Sequence, residues 1–266
     1  VGDTQPWSRP KIVAILLAAV TFALTLTGGA VAAVVMALSP AGGSHTERDT
    51  GPSTADTEPG GSTRDQIAAA PMLKVGGAEA TGGTPSTALT ETIEIPNPTT
   101  TGPARVATGY PHTPEGATGQ LGAILSEVVQ TMSIPRAHEV HDAWTETGAG
   151  PAREWGMTKN VSEFLSSAGL PGQEAGTQAR IEVTPAAAQV KGVDGPDWVV
   201  ACVLLDITAS IDRTVDVAYG HCERMTWEQG RWVIAAGDPP APAPSTWPGT
   251  DLAADAGWLT WHPAAP

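Results

Sequence analysis

The sequence predicts an α+β domain carried behind a membrane anchor and a long linker. Three observations predict this: an uncharged apolar run near the N-terminus, a low-complexity stretch after it, and a change of hydrophobic period from helical to alternating at about residue 180. The chain has 266 residues with 14 Lys and Arg against 28 Asp and Glu, a net charge of -14. That balance argues against a nucleic-acid binder, whose affinity comes mostly from Lys and Arg on phosphates. The 30 Gly, 24 Pro and 5% aromatics imply that part of the chain builds no core. With two Cys, a disulfide-framework toxin and a Cys-rich zinc module are both excluded.

After a cytoplasmic stub, residues 1–11, the run Ile12 to Leu38 carries no charge and is broken only by Thr21, Thr25, Thr27, Gly28 and Gly29. It exceeds the roughly 20 residues needed to span the hydrocarbon of a bilayer. Arg9 and Lys11 precede it and no basic residue follows before Arg48, which places the N-terminus in the cytoplasm and the rest outside. A cleaved signal peptide is the rival reading, with Ile12 to Leu26 as its apolar region and Ala30-Val31-Ala32 as its cleavage site. Both readings export the remainder. Residues 39–104 are dominated by Ser, Thr, Gly, Pro and Ala without sustained periodicity, and are expected to form a disordered spacer.

The folded domain is expected over residues 105–266. Thr113 is a good N-cap, Pro114 suits the first helical position and Glu115 complements the helix dipole. Leu121, Ile124, Leu125, Val128, Val129 and Met132 then recur at helical spacing, and Pro135 is expected to end the helix. A second helix is expected from about Pro135 to Glu146, with Ala137, Val140, His141 and Trp144 inward. A third is expected from about Pro151 to Ser167. Strands follow at Arg180 to Lys191, Trp198 to Ala209, Thr214 to Trp227 and Arg231 to Ala236. Pro185 makes the first of these an edge strand or demands a bulge. In the tail, Thr250 or Asp251 caps a short helix, and Trp258 and Trp261 are expected to pack back onto the domain.

The long hairpin has an internal test of register. Centred on Asp212, it puts Val199, Ala201, Val203, Leu205 and Ile207 on one face with Val215, Val217, Tyr219 and Met225. The opposite face pairs Asp206 with Ala218 and Thr208 with Asp216 and is expected to be more polar. A slip of one residue would mix the two faces. This register sets Cys202 opposite Cys222, and two facing Cys outside the cytoplasm are disulfide candidates.

The helix opening Gly109-Tyr110-Pro111-His112-Thr113-Pro114-Glu115-Gly116-Ala117, the hairpin ending in Trp227 and Trp232, and Trp247-Pro248-Gly249-Thr250 follow an anchor and a linker. Together they resemble the single-pass extracytoplasmic proteins of actinobacterial conjugative or integrative elements. The resemblance implies an outer domain of nuclear-transport-factor-2-like fold, with helices on a curved antiparallel sheet, similar to the bitopic scaffold subunit of type IV secretion channels. It implies a scaffold acting through self-association or contacts with other transfer-complex subunits, with no catalytic residues and no cofactor.

A second reading makes the domain a small-ligand binder or isomerase-like enzyme. Its residues are His221 and Glu223 beside Tyr219, one face of one strand, where a buried imidazole next to a carboxylate suits general-base chemistry. The plainer reading of the same residues is a polar pair at the sheet margin, solvated or bonded to backbone. His138, Glu139, His141 and Asp142 invite a metal reading, but HExxH is absent and no third ligand is signposted, so no metal site is assigned. No GxxxxGK[ST], GxGxxG or GxSxG motif occurs.

Overall fold

The computed structural model describes residues 62–88, 91–170, 172–211 and 213–265. The stub, the apolar run read as a membrane span or signal peptide, and the first part of the linker lie outside them. No helix among the described residues is long and apolar enough to cross a membrane.

The first element is a short helix, α1 (Thr63–Ala69), opened by a capping box. Ser62 Oγ accepts from the Asp65 amide while the Asp65 carboxylate accepts from the Ser62 amide. Strand β1 (Thr92–Ile95) alternates exposed and buried residues, and the two-residue strands β2 (Thr100–Thr101) and β3 (Ala107–Thr108) pair antiparallel. These elements correct the expected linker: within residues 39–104, the described parts 62–88 and 91–104 carry a helix, strands and contacts with the domain. The order comes from tertiary contacts. Ala68, Ile93 and Ile95 are buried, and Ile67 and Met72 pack on the same clusters, so a segment too poor in apolar residues for its own core borrows one.

The three expected helices are present with shifted ends. Helix α2 (Pro114–Thr131) starts at the Thr113 cap, whose Oγ1 accepts from the Gly116 amide, and its stripe from Leu121 to Val129 is buried. It stops at Met132, which adopts a left-handed φ of 38°. Pro135 therefore does not end this helix; it sits in the first turn of α3 (Ile134–Trp144), capped by Ser133. Helix α4 (Gly156–Ser167) begins five residues later than expected, because Trp155 is extended and the preceding Ala152–Glu154 forms only a 3-10 turn.

Strands β4 (Arg180–Val193), β5 (Trp198–Ser210), β6 (Thr214–Glu228) and β7 (Arg231–Ile234) follow, then helix α5 (Asp251–Asp255) and strand β8 (Leu259–Pro263). The sheet curves into a half-barrel of order β1-β8-β4-β5-β6-β7. It is mixed, not purely antiparallel as expected, because β1 and β8 pair in parallel. Strand β4 lies inside the sheet, and the register shift between Pro185 and Ala187 is the bulge that accommodates the proline. The β5–β6 register has Asp206 opposite Ala218, Thr208 opposite Asp216 and Cys202 opposite Cys222. The two cysteines form a disulfide. Asp212, the expected centre of the hairpin, lies outside the described residues. At the β6–β7 turn, Gln229 and Gly230 both take positive φ (50° and 82°), which matches the right-handed twist of the flanking strands.

The main core fills the concave face, where α2, α3 and α4 meet Val199, Ala201, Val203, Leu205, Tyr219 and Met225. The opposite face departs from expectation. Its far end, with Asp206, Thr208 and Asp216, is polar, and Arg224 lies opposite Val200 toward the other end. Trp198, Val200, Cys202 and Leu204 are buried beneath α1, Met72, α5 and Trp258. The disulfide lies within this second cluster, with Met72 Sδ 3.7 Å from Cys222 Sγ. Residues 62–72 lie over this face as a strap fastened by ion pairs, Arg64 to Asp194 in the β4–β5 turn at 2.6 Å and Asp65 to Arg224 of β6 at 2.7 Å. Lys191 Nζ donates to the Ala68 carbonyl at the end of α1.

Two outcomes are expected. Cys202 and Cys222 are 20 residues apart, so opening their bridge should cost about 3 kcal/mol by loop entropy. Denaturant titration with and without reductant reads that difference, and thiol labelling should require reductant and denaturant together, because the sulfurs are bonded to each other and covered. Second, Arg224→Met should release the strap without unfolding the sheet. Hydrogen exchange should then quicken across residues 62–72 while the β5 amides stay protected.

Candidate functional site

Strand β6 continues past the end of β7. The β7 pairing covers only Met225 to Glu228, and beyond Ile234 the chain leaves the sheet as an Ala- and Pro-rich segment, residues 235–243. A cleft of about 420 Å³ occupies this notch. One wall is the 235–243 segment. The other comes from the end of α3, the 3-10 turn and the start of α4, and the floor is β6.

Tyr219, His221 and Glu223 are two apart on β6 and so share the concave face. They form one hydrogen-bonded chain. Asn160 Nδ2 of α4 donates to Tyr219 Oη at 2.6 Å, Tyr219 Oη lies 2.8 Å from His221 Nδ1, and His221 Nε2 lies 2.8 Å from Glu223 Oε1. Trp155 Nε1 donates to the same Glu223 Oε1 at 2.8 Å. An ionised Glu223 only accepts, so the proton shared with it sits on His221 Nε2. In the neutral ring Nδ1 then accepts from the Tyr219 hydroxyl, which in turn accepts from Asn160. Every donor meets an acceptor. Met157 Sδ, 3.4 Å from Tyr219 Oη, offers the hydroxyl a second acceptor. Burial pushes the Tyr219 phenol well above its usual range, and the Glu223 charge adds to this.

The structure thus gathers the three residues that the sequence placed on one face, and replaces the plainer reading of them. They are not a solvated pair at the margin: the His221 and Glu223 side chains are 16% and 10% exposed and bond to other side chains. Sequence reasoning missed Trp155 and Asn160, which α4 and the turn before it bring in. It weighed His141 for the core stripe and for a metal site, and not for this cleft. His141 is buried on α3, but it lines the cleft with its ring 5.6 Å from that of Trp155. Its Nδ1 lies 3.2 Å from Asp142 Oδ1, and no bond to Nε2 is present among the described residues. His138 does not join the cleft. Among the described residues no group of three or more His, Cys, Asp or Glu is placed to hold a metal ion.

The Gly109–Ala117 opening, Trp227 and Trp232 form a packing unit elsewhere. Trp232 Nε1 donates to the Pro111 carbonyl at 3.0 Å, and the His112 ring stacks on Trp227 with centroids 4.3 Å apart. His112 Nε2 meets Asp197 at 2.7 Å. A Cβ on Gly116 would sit 2.0 Å from the Pro111 oxygen, so only glycine fits under this loop. Comparison of the chain with models of known protein families, with curated proteins and with solved structures finds no match.

The two tyrosines of the chain give a spectroscopic check. Burial raises Tyr110 to about 12 and Tyr219 further in the same direction. A folded-state pKa above the unfolded value of about 10 means stability present at neutral pH and lost as pH rises through that window. Ultraviolet titration should therefore show no tyrosinate at about pH 10.5, followed by both residues ionising together as the domain unfolds.

Proposed function

We propose that this protein is a membrane-anchored scaffold or assembly component of a conjugative DNA-transfer or type IV secretion-like complex, working through protein contacts. The observation that carries the reading is the saturation of the His221 chain. Both imidazole nitrogens are engaged, Tyr219 is buried beneath them, and a general base would first have to give up a hydrogen bond. A buried disulfide suits an oxidising compartment outside the cytoplasm, the side on which the Arg9 and Lys11 pattern places the domain. Helices over a half-barrel sheet are also what the nuclear-transport-factor-2-like resemblance implies. The expected partners are further copies of the chain or other subunits of the complex, with the apolar run of residues 12–38 in the lipid.

A second reading is favoured by a different observation. Among the described residues, Glu223 Oε2 and His141 Nε2 have no protein partner at the cleft, a feature that a binding site uses and a sealed margin does not. On that reading the domain binds a small ligand beside His221 and Glu223.

Crosslinking in the native cell envelope, followed by tagged purification and mass spectrometry, tests the first reading. Recovery of a conjugation-type ATPase, channel or coupling subunit together with a chain of intact N-terminal mass is the expected result. Recovery of a lone monomer cut near Ala33 overturns it.

A further inference from the structure

We infer that helix α1 is a latch on the cleft. While α1 is docked it holds the Ala- and Pro-rich wall, residues 235–243, in place beside the Tyr219–His221–Glu223 chain, and its release widens the cleft.

The wall is weakly held by its own chain. It follows the last rung of the β6–β7 pairing, where the Ala235 amide donates to the Arg224 carbonyl at 2.8 Å. Pro239, Pro240 and Pro242 have no N–H to give, and residues 236–239 are half-buried or exposed. Among the described residues, two hydrogen bonds hold the wall beyond that rung, and both lead to α1. Arg224 Nε donates to the Asp238 carbonyl at 2.8 Å, while Nη1 of the same guanidinium pairs with Asp65 of α1 at 2.7 Å. The Ala241 amide donates to the Ala68 carbonyl of α1 at 2.9 Å.

Arg224 is suited to join the two. Its side chain is 7% exposed and reaches strap and wall with different nitrogens of one rigid planar group. Gly237 lies against it with a φ of 129°, and a Cβ there would sit 3.1 Å from Nη1. Glycine is what lets the wall pass so close to the guanidinium. The Ala68 carbonyl, which also accepts from Lys191 Nζ at 2.7 Å, is the second joint. The rest of α1 is fastened away from the cleft: Arg64 pairs with Asp194 and lies over the Trp198 ring, and Ile67 packs against Gly192. With α1 undocked, Ala241 loses its partner and Arg224 its counter-charge. A single bond, to Asp238, is then left between the fixed ends of the wall, Ala235 and the Pro244 carbonyl that the Trp258 indole holds. Residues 1–61 join the domain at Ser62, so a partner bound there, or a pull along that part of the chain, acts on α1 before any other element.

The test uses the full chain purified in a mild non-ionic detergent. Spin labels on Gly156→Cys and Pro240→Cys, one on each side of the cleft, report its width by pulsed electron paramagnetic resonance, and the native cysteines are bonded to each other and take no label. A Cβ at Gly156 meets only His221 Cε1, at 3.8 Å, so that site tolerates the label. Arg64→Glu combined with Ile67→Asp strikes α1 at contacts that do not involve the wall. Deuterium exchange over residues 62–72 should quicken by about tenfold or more, and the label separation should lengthen and broaden, while the β5 amides stay protected. Coupling of this kind runs both ways. Gly237→Val, whose nearest contacts are all with Arg224, strains the wall and should quicken exchange over residues 62–72 by a similar factor. It alters only an exposed loop, so where the first variant unfolds or leaves the strap docked, Gly237→Val decides alone. A loosened strap with an unchanged label separation, or a strained wall with unchanged strap exchange, overturns the latch.

Discussion

Strand β5 has no solvent-facing side for most of its length, and the rest of the molecule is arranged to satisfy that constraint. Trp198 through Leu205 are all buried, with successive residues pointing to opposite faces. One face is covered by α2, α3 and α4, the compact cover of an α+β layer. The other has no helical layer of its own. The chain covers it with pieces from both ends of the domain, α1 and Met72 from before the first strand, and α5, Trp247 and Trp258 from after the last hairpin. The disulfide is set in the same surface, so it joins two strands that are already the best-covered part of the sheet.

Tryptophan does much of this joining. The indole is large enough to fill the space between layers and keeps one N–H that must be bonded when buried. Trp144 donates to the Pro103 carbonyl, Trp232 to Pro111, Trp258 to Pro244 and Trp155 to Glu223. Three of these four acceptors are proline carbonyls in loops. A Pro-rich chain has few amides to spare for backbone pairing, and here its free carbonyls become the acceptors that fix irregular segments to the core. The cleft opens where the two covers fail to meet, along the stretch of β6 that β7 is too short to pair.

Much of this was legible and some was not, for reasons that attach to particular residues. The α2 opening, the hairpin register and the Cys202–Cys222 pairing follow from local chemistry and strict alternation, which sequence carries directly. Strand β1 was hidden because Thr92-Ile93-Glu94-Ile95 is a short alternation inside a Thr- and Pro-rich stretch, and its partner β8 lies at the far end of the chain. The Ser62 to Asp65 capping box and the continuous apolar run Trp198 to Leu205 were both readable signals of α1 and of a strand buried on two faces. They were outweighed by the composition around the first and by the polar end of the hairpin beside the second. In the cleft, Tyr219, His221 and Glu223 share a face by spacing alone. Trp155, Asn160 and His141 arrive on helices whose docking no local pattern encodes.

The parallel pairing of β1 with β8 has a consequence for how the molecule comes into being. Thr92 lies opposite Thr260, so the first strand made must wait for β8, more than 160 residues later. A chain emerging N-terminus first can close the β4–β7 meander early, since those contacts are between neighbours in sequence. It cannot complete the sheet, or seal the face that carries the disulfide, until Trp258 and β8 have been made. Pairings of such long span are slow to form, and the unfinished edge stays available to other chains meanwhile. The interval between those two events is when this protein most needs a chaperone.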